Sequence, residues 1–227
     1  MNCELSDNKI VCCSKSVFCY TSKSIDIEQS KLILKKSRSL RYGLLSLGLA
    51  ALKLTVSEQQ AFQVIRHGRT SVFETSEGVR NCNLDLYNSI GCYAISHPVI
   101  IKNIHNSKEI DEILAGIPNE GIGFDYIGGL SIINRPTFGI DIVGNNDIFA
   151  QEDVYTNNFT KAKGISNILP MDEKLNICCE YLLFVNLYKG RVILQTRYNN
   201  SKFSEDVAQN ILVNISNRLI IESKVTD

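Results

Sequence analysis

The feature that most constrains this chain lies between residues 175 and 198. Leu175, Ile177, Cys179, Tyr181, Leu183, Val185 and Leu187 recur at period two, the spacing of one buried face of a β-strand. Lys189-Gly190 then offers a two-residue turn in which glycine supplies a positive φ. The return strand sets Val192 against Leu187, Leu194 against Val185, Thr196 against Leu183 and Tyr198 against Tyr181. A slip of one residue would turn every apolar side chain to the wrong face, so this register is well specified.

The rest of the chain supplies strands and helices in alternation. Strands are expected over 9–18, 60–66, 84–95 (stopped by Pro98) and 137–143. Helices are expected over 24–36, over 39–54, over 107–115 with Ser107 as N-cap and Gly116 as stop, and from Ser204 onward. The apolar side of the last helix is read as Val207, Ile211, Leu212, Ile215, Leu219 and Ile220. In the second helix Leu40, Leu44, Leu47 and Ala51 share one side, with Gly43, Ser46 and Ala50 permitting close approach. Residues 145–174 are polar and form the longest loop candidate. The fold class is α/β: a single layer with a mixed, mostly antiparallel sheet packed with helices. Residues 9–223 form one domain, with tails at 1–8 and 224–227.

The 227 residues include 24 basic and 24 acidic side chains, so the formal charge is zero. That balance argues against a broad nucleic-acid footprint or a polybasic membrane surface. The longest apolar patch, residues 44–52, falls well short of the roughly 20 residues a spanning helix needs. The N-terminal residues are polar and lack the basic start and apolar run of a signal peptide. Eight cysteines form no C-x-x-C and no zinc spacing, which fits reduced thiols used as small hydrophobes. The expectation is a reduced cytoplasmic chain with no metal site.

No nucleotide-binding glycine loop and no G-x-S-x-G nucleophile elbow is present. Three stretches stand out. Ile65-Arg66-His67-Gly68-Arg69-Thr70 is either a charged strand end or a place where a His and an Arg around a Gly hold an anionic or carbonyl group. Asn88-Ser89-Ile90-Gly91-Cys92-Tyr93-Ala94-Ile95-Ser96-His97-Pro98 has a glycine where a bulge or close backbone approach is expected. Pro118-Asn119-Glu120-Gly121-Ile122-Gly123-Phe124-Asp125 permits tight backbone, without the helix start and basic residue of an anion cradle.

In order and spacing these stretches resemble the C-terminal half of the epimerisation and condensation domains of nonribosomal peptide synthetases. His67, Gly68 and Arg69 match the centre of E-G-H-G-R-E. Residues 88–98 match R-T-V-G-W-F-T-x-x-Y-P at Gly91 and Pro98. Residues 118–125 match P-x-x-G-x-G-Y-G at Pro118, Gly121 and Gly123. Ile140-Asp141-Ile142-Val143-Gly144 echoes F-N-Y-L-G. The glycine-turn hairpin, Tyr198-Asn199-Asn200 and the last helix look like the family's closing elements.

The resemblance implies a chloramphenicol-acetyltransferase-like layer with Arg69, Tyr93, Phe124 and Asp141 facing a substrate channel. It implies structural roles for Gly68, Gly91, Pro118, Gly121, Gly123 and Gly144. It also implies partners: an N-terminal half-domain or synthetase module, and a peptidyl carrier protein. The substrate, an aminoacyl or peptidyl thioester, would ride on the carrier's phosphopantetheine, with no cofactor bound by this chain.

The departures are as informative. The family's catalytic H-H-x-x-x-D-G lies in the N-terminal layer, and this chain has no adjacent histidines. Both glutamates of E-G-H-G-R-E are replaced, by Ile65 and Thr70, and the Asn of F-N-Y-L-G is Asp141. His67 is then the one candidate base, since imidazole titrates near neutrality. Three functions follow. The first is a half-domain inactive alone, with the catalytic histidine supplied elsewhere. The second is a non-catalytic module that binds a carrier protein or synthetase. The third is an acyltransferase that completes its site in an oligomer. Half of a two-layer protein is also expected to expose an apolar face, and so to form a homodimer, to bind a partner or to dissolve poorly alone.

Overall fold

The computed structural model describes residues 18–67, 74–75, 78–79, 94–121, 124, 136–145 and 179–225. Strand β1 (Phe18–Ser24) leads into α1 (Ile27–Ser37) and α2 (Leu44–Thr55). There follow β2 (Ala61–His67), a two-residue pair β3 (Glu74–Thr75) and β4 (Gly78–Val79), β5 (Ala94–Ile100) and α3 (Ser107–Ala115). A single 3₁₀ turn (Pro118–Gly121) precedes β6 (Phe138–Asn145). The hairpin β7 (Tyr181–Tyr188) and β8 (Arg191–Asn199) and the helix α4 (Glu205–Glu222) close the chain.

Six strands form one sheet in the order β1-β8-β7-β6-β2-β5. Strands β7, β6 and β2 run parallel, and the other pairings are antiparallel. The hairpin has the register expected from its sequence: Leu187 opposite Val192, Val185 opposite Leu194, Leu183 opposite Thr196 and Tyr181 opposite Tyr198. Lys189 and Gly190 both take positive φ, 49° and 71°, the turn whose twist matches the strands it joins.

The helices contact one another and pack on one face of the sheet. Helix α2 lies at the centre, with Leu47, Leu49, Ala50, Ala51 and Leu52 all fully buried. The close approach to the sheet comes at Gly48, where an added Cβ would sit 2.8 Å from Ile140 Cδ1. Tyr181, Phe138 and Phe203 pack ring against ring at 5.4–5.7 Å between centroids, closing the core at one end. Local signals place the helix starts. Asp26 accepts from the N–H groups of Glu28 and Gln29 at 3.0 Å, and Ser204 Oγ accepts from Val207 N–H. Glu222, buried at the end of α4, accepts from Ser107 N–H at 2.9 Å and ties that helix to the start of α3.

Three expectations are corrected. The N-cap of α3 is Asn106, whose side chain accepts from Lys108 N–H and Glu109 N–H, and Ser107 is the first helical residue. Pro98 does not stop β5 but lies inside it, tolerated because β5 is an edge strand. Val207 is exposed, because the contact surface of α4 is centred on Ala208, Leu212, Ile215 and Leu219. The exposed large apolar residues among those described are Ile27 and Leu32 on α1, Ile100 on β5, Val143 on β6, Val207 and Ile221 on α4, and Val225 beyond it. The expected strand over 9–17, most of that over 84–93 and the loop over 146–174 lie outside the described residues. No helix among the described residues is long and apolar enough to cross a membrane.

Candidate functional site

Strands β2 and β6 run parallel, so they finish at the same end of the sheet, where open α/β sheets bind ligands. Strand β2 ends there at His67, and β6 ends at Gly144-Asn145. Antiparallel β5 begins at the same end, with Ala94 as the register partner of His67. The H-G-R stretch leaves β2 at this end, the stretch 88–98 enters β5 here, and 140–144 forms most of β6. Topology therefore gathers three segments that are far apart in sequence. Gly68, Arg69, Gly91, Tyr93 and Gly123 lie outside the described residues.

The fourth stretch joins the same end from the helical side. Pro118–Gly121 turns beneath β5, and Gly121 adopts φ +86°. A Cβ there would lie 2.1 Å from the Cδ2 of His97, so this glycine meets both a conformational and a steric demand. Its neighbour Glu120 also has positive φ, 54°, a cost that a side chain bears only when something holds it. Arg66 holds it: Nη2 donates to Glu120 Oε2 at 3.0 Å. The Arg66 guanidinium also lies 4.7 Å from the centroid of the Tyr42 ring. Phe124 N–H donates to Gly121 O at 3.3 Å, which keeps that half-buried residue next to the turn. His97 is a buried residue in mid-strand, packed on Gly121. His105 is exposed and faces Glu109 at 3.2 Å.

Alternation along the strands assigns a second set of residues to the face away from the helices. One register row crosses all six strands: Ser22, Gln195, Phe184, Asp141, Ile65 and Ser96. Asp141 stands near its middle and is the only ionisable residue in it. Its register neighbours on both sides are apolar, Phe184 and Ile65. Burial raises its carboxyl above the ordinary aspartate value, because little water remains to solvate the anion. Gln63 lies on the same face and donates from Nε2 to Ser96 Oγ at 2.6 Å.

Ile65 and Asp141 are direct register partners. The resemblance assigns Glu to the first position and Asn to the second. The row therefore holds one carboxyl, on β6, and an apolar residue at the β2 position. Sequence reasoning singled out Asp141 by motif position and missed this pairing, which needs the alignment of two strands about 75 residues apart. It also missed Tyr42, Arg66 and Glu120. The available signal was an arginine at the family's first glycine in E-G-H-G-R-E.

Among the described residues no His, Cys, Asp or Glu grouping is suited to hold a metal ion. No protein-family model and no curated protein matches the sequence. Solved structures do match the fold. The epimerization domain from the third module of tyrocidine synthetase B superimposes with a TM-score of 0.67 at 15% identity, covering 96% of this chain and 51% of that one. VibH, a nonribosomal peptide synthetase condensation enzyme, gives 0.55 at 11% identity, covering 93% and 46%. The trichothecene 15-O-acetyltransferase TRI3 from Fusarium sporotrichioides gives 0.56 at 12% identity, covering 92% and 47%. This chain thus spans about half the length of each of these three structures. The α/β layer expected from sequence is the layer observed, and its fold is that of one half of an epimerization or condensation domain of nonribosomal peptide synthesis.

Proposed function

We propose that this chain provides the second half of an epimerisation- or condensation-type site that acts on an aminoacyl or peptidyl thioester. The thioester is carried on the phosphopantetheine of a carrier protein, and the H-H-x-x-x-D-G half is supplied elsewhere. The reading rests on one observation: four motif stretches scattered through a half-domain fold converge on one end of its sheet. In epimerisation a base removes the α-proton and an acid returns one to the opposite face, with no net change in composition. In condensation an amine attacks the thioester carbonyl and the thiol leaves. Within this half, His67 at the end of β2 and Asp141 in the sheet row are the groups assigned to proton handling, with Phe124 lining the approach. Arg69 and Tyr93 are assigned to the same channel by motif position.

The test is α-proton exchange in D₂O on a carrier-bound aminoacyl thioester, with this chain, the N-terminal half of an epimerisation domain, and the two mixed. Deuterium incorporation only in the mixture, lowered by Asp141→Asn, is the expected result. Exchange by this chain alone would reject a divided site.

A second reading is a non-catalytic module that binds a carrier protein or synthetase. It is favoured by Ile65, a half-buried apolar residue where the resemblance assigns a glutamate. On that reading the carrier binds and no exchange occurs in any mixture.

A further inference from the structure

We propose that residues 31–41, the later part of α1 and the turn after it, form a docking surface for an acidic protein partner. We assign that partner as the carrier domain of the function proposed above, on which this inference rests. Lys31, Lys35, Lys36, Arg38 and Arg41 fall in this one span of a chain whose formal charge is zero. Lys31 is taken up by Glu28 at 2.7 Å. Lys35 and Lys36 sit in the last turn of α1, where helix carbonyls favour cations. That ordinary role extends to Arg38, the C-cap, and does not account for Arg41 beyond it. Lys35, Arg38 and Arg41 are exposed, and Lys35 and Arg38 make no ion pair among the described residues.

The position of this surface ties it to the site. The Arg41 guanidinium lies 5.4 Å from the centroid of the Tyr42 ring, and that of Arg66 lies 4.7 Å from the same centroid. Arg66 precedes His67 at the end of β2. One aromatic ring therefore joins the basic turn to the end of the sheet where the motif stretches meet. A partner seated on the turn would present an attached thioester beside that end.

A protein partner suits this surface better than a nucleic acid or a bilayer. Leu32 is 44% exposed among the cations, giving the mix of apolar and charged contact found in protein interfaces. The patch is local, whereas nucleic-acid binding draws on a broad positive field that a neutral chain lacks. The apolar residue Ile33 faces the core, so α1 has no wide apolar side left for lipid.

The experiment titrates the full chain with a phosphopantetheine-loaded carrier domain by calorimetry at low and high salt. Wild type is compared with Lys35→Glu/Arg38→Glu, and with Lys202→Glu as a control of equal exposure elsewhere. The expected result is binding that weakens with salt, falls about tenfold or more in the double variant, and is unchanged in the control, with all three chains fully folded at the titration temperature by circular dichroism. Equal affinity of the double variant would overturn the surface and leave the functional reading standing. So would tighter binding to single-stranded DNA or to phosphatidylserine vesicles than to the carrier. No binding of the wild type at low salt also overturns it. The functional reading is judged separately by α-proton exchange, so the two failures are told apart.

Discussion

Ile65 and Asp141 stand side by side on adjacent parallel strands, and the carboxyl of the pair is flanked by Phe184 on its other side. The folded chain therefore favours a neutral Asp141. A carboxyl raised above its unfolded value contributes stability that is fully present below the ordinary value near 3.8 and is lost as pH rises through the folded value. Asp141→Asn stays neutral throughout. Its thermal midpoint is expected to match wild type near about pH 3.5 and to exceed it at neutral pH. A gap of the same size at both pH values would mean that Asp141 is well solvated.

Gly121→Ala meets the His97 ring and an unfavourable φ together. Chemical denaturation should show a loss of about 3 kcal/mol. Adding His97→Ala should return only part of this, since the backbone strain at φ +86° survives removal of the ring. Full recovery would assign the whole cost to the clash.

Arg66 and Glu120 are the pair that fixes the 3₁₀ turn to β2, and their side chains are 11% and 23% exposed. A double-mutant cycle with Arg66→Ala and Glu120→Ala should give a coupling of about 1–2 kcal/mol. A value near zero would leave the turn held by Gly121 and His97 alone.

Much of this architecture was legible in the sequence, and the limits have physical causes. The β7–β8 register was readable because alternation and a two-residue turn act over adjacent residues. The helices were readable from apolar spacing, and Ser204 marks the start of α4, whereas the sequence points to Ser107 where Asn106 caps α3. Pro98 misled because its effect depends on whether β5 is an edge strand, which local sequence does not encode. His67 and Asp141 were found as motif positions. That Asp141 lies beside Ile65, and that Arg66 reaches Glu120, depends on parallel pairing and on a turn folded back under the sheet. Neither leaves a periodic trace.

Asp111 shows how such long-range contacts organise the helical layer. Its carboxylate accepts from Arg41 N–H and Tyr42 N–H at 2.9 Å each and from Ser46 Oγ at 2.6 Å. Asp111→Ala leaves three donors without this acceptor and should cost about 2–3 kcal/mol in urea unfolding. Amide exchange at Arg41 and Tyr42 should quicken more than exchange in α4. Uniform acceleration would instead indicate general loosening.

The hairpin turn offers a gain as well as a loss. Gly190→Ala, at φ 71°, should destabilise by about 1–2 kcal/mol. Lys189→Asn, at φ 49°, should stabilise by about 0.5 kcal/mol, since asparagine accepts that conformation more readily than lysine. Opposite signs in thermal melts would confirm the turn type.

The parallel run of β2 and β6 separates upkeep from chemistry. Helical contacts secure the body of each strand, Gly48 against Ile140 among them, while the chain leaves β2 and enters β5 at one end of the sheet. Evolution can exchange or lengthen one such segment without repacking the interior. A scaffold of this kind can change what it presents at that end and still melt as the same domain.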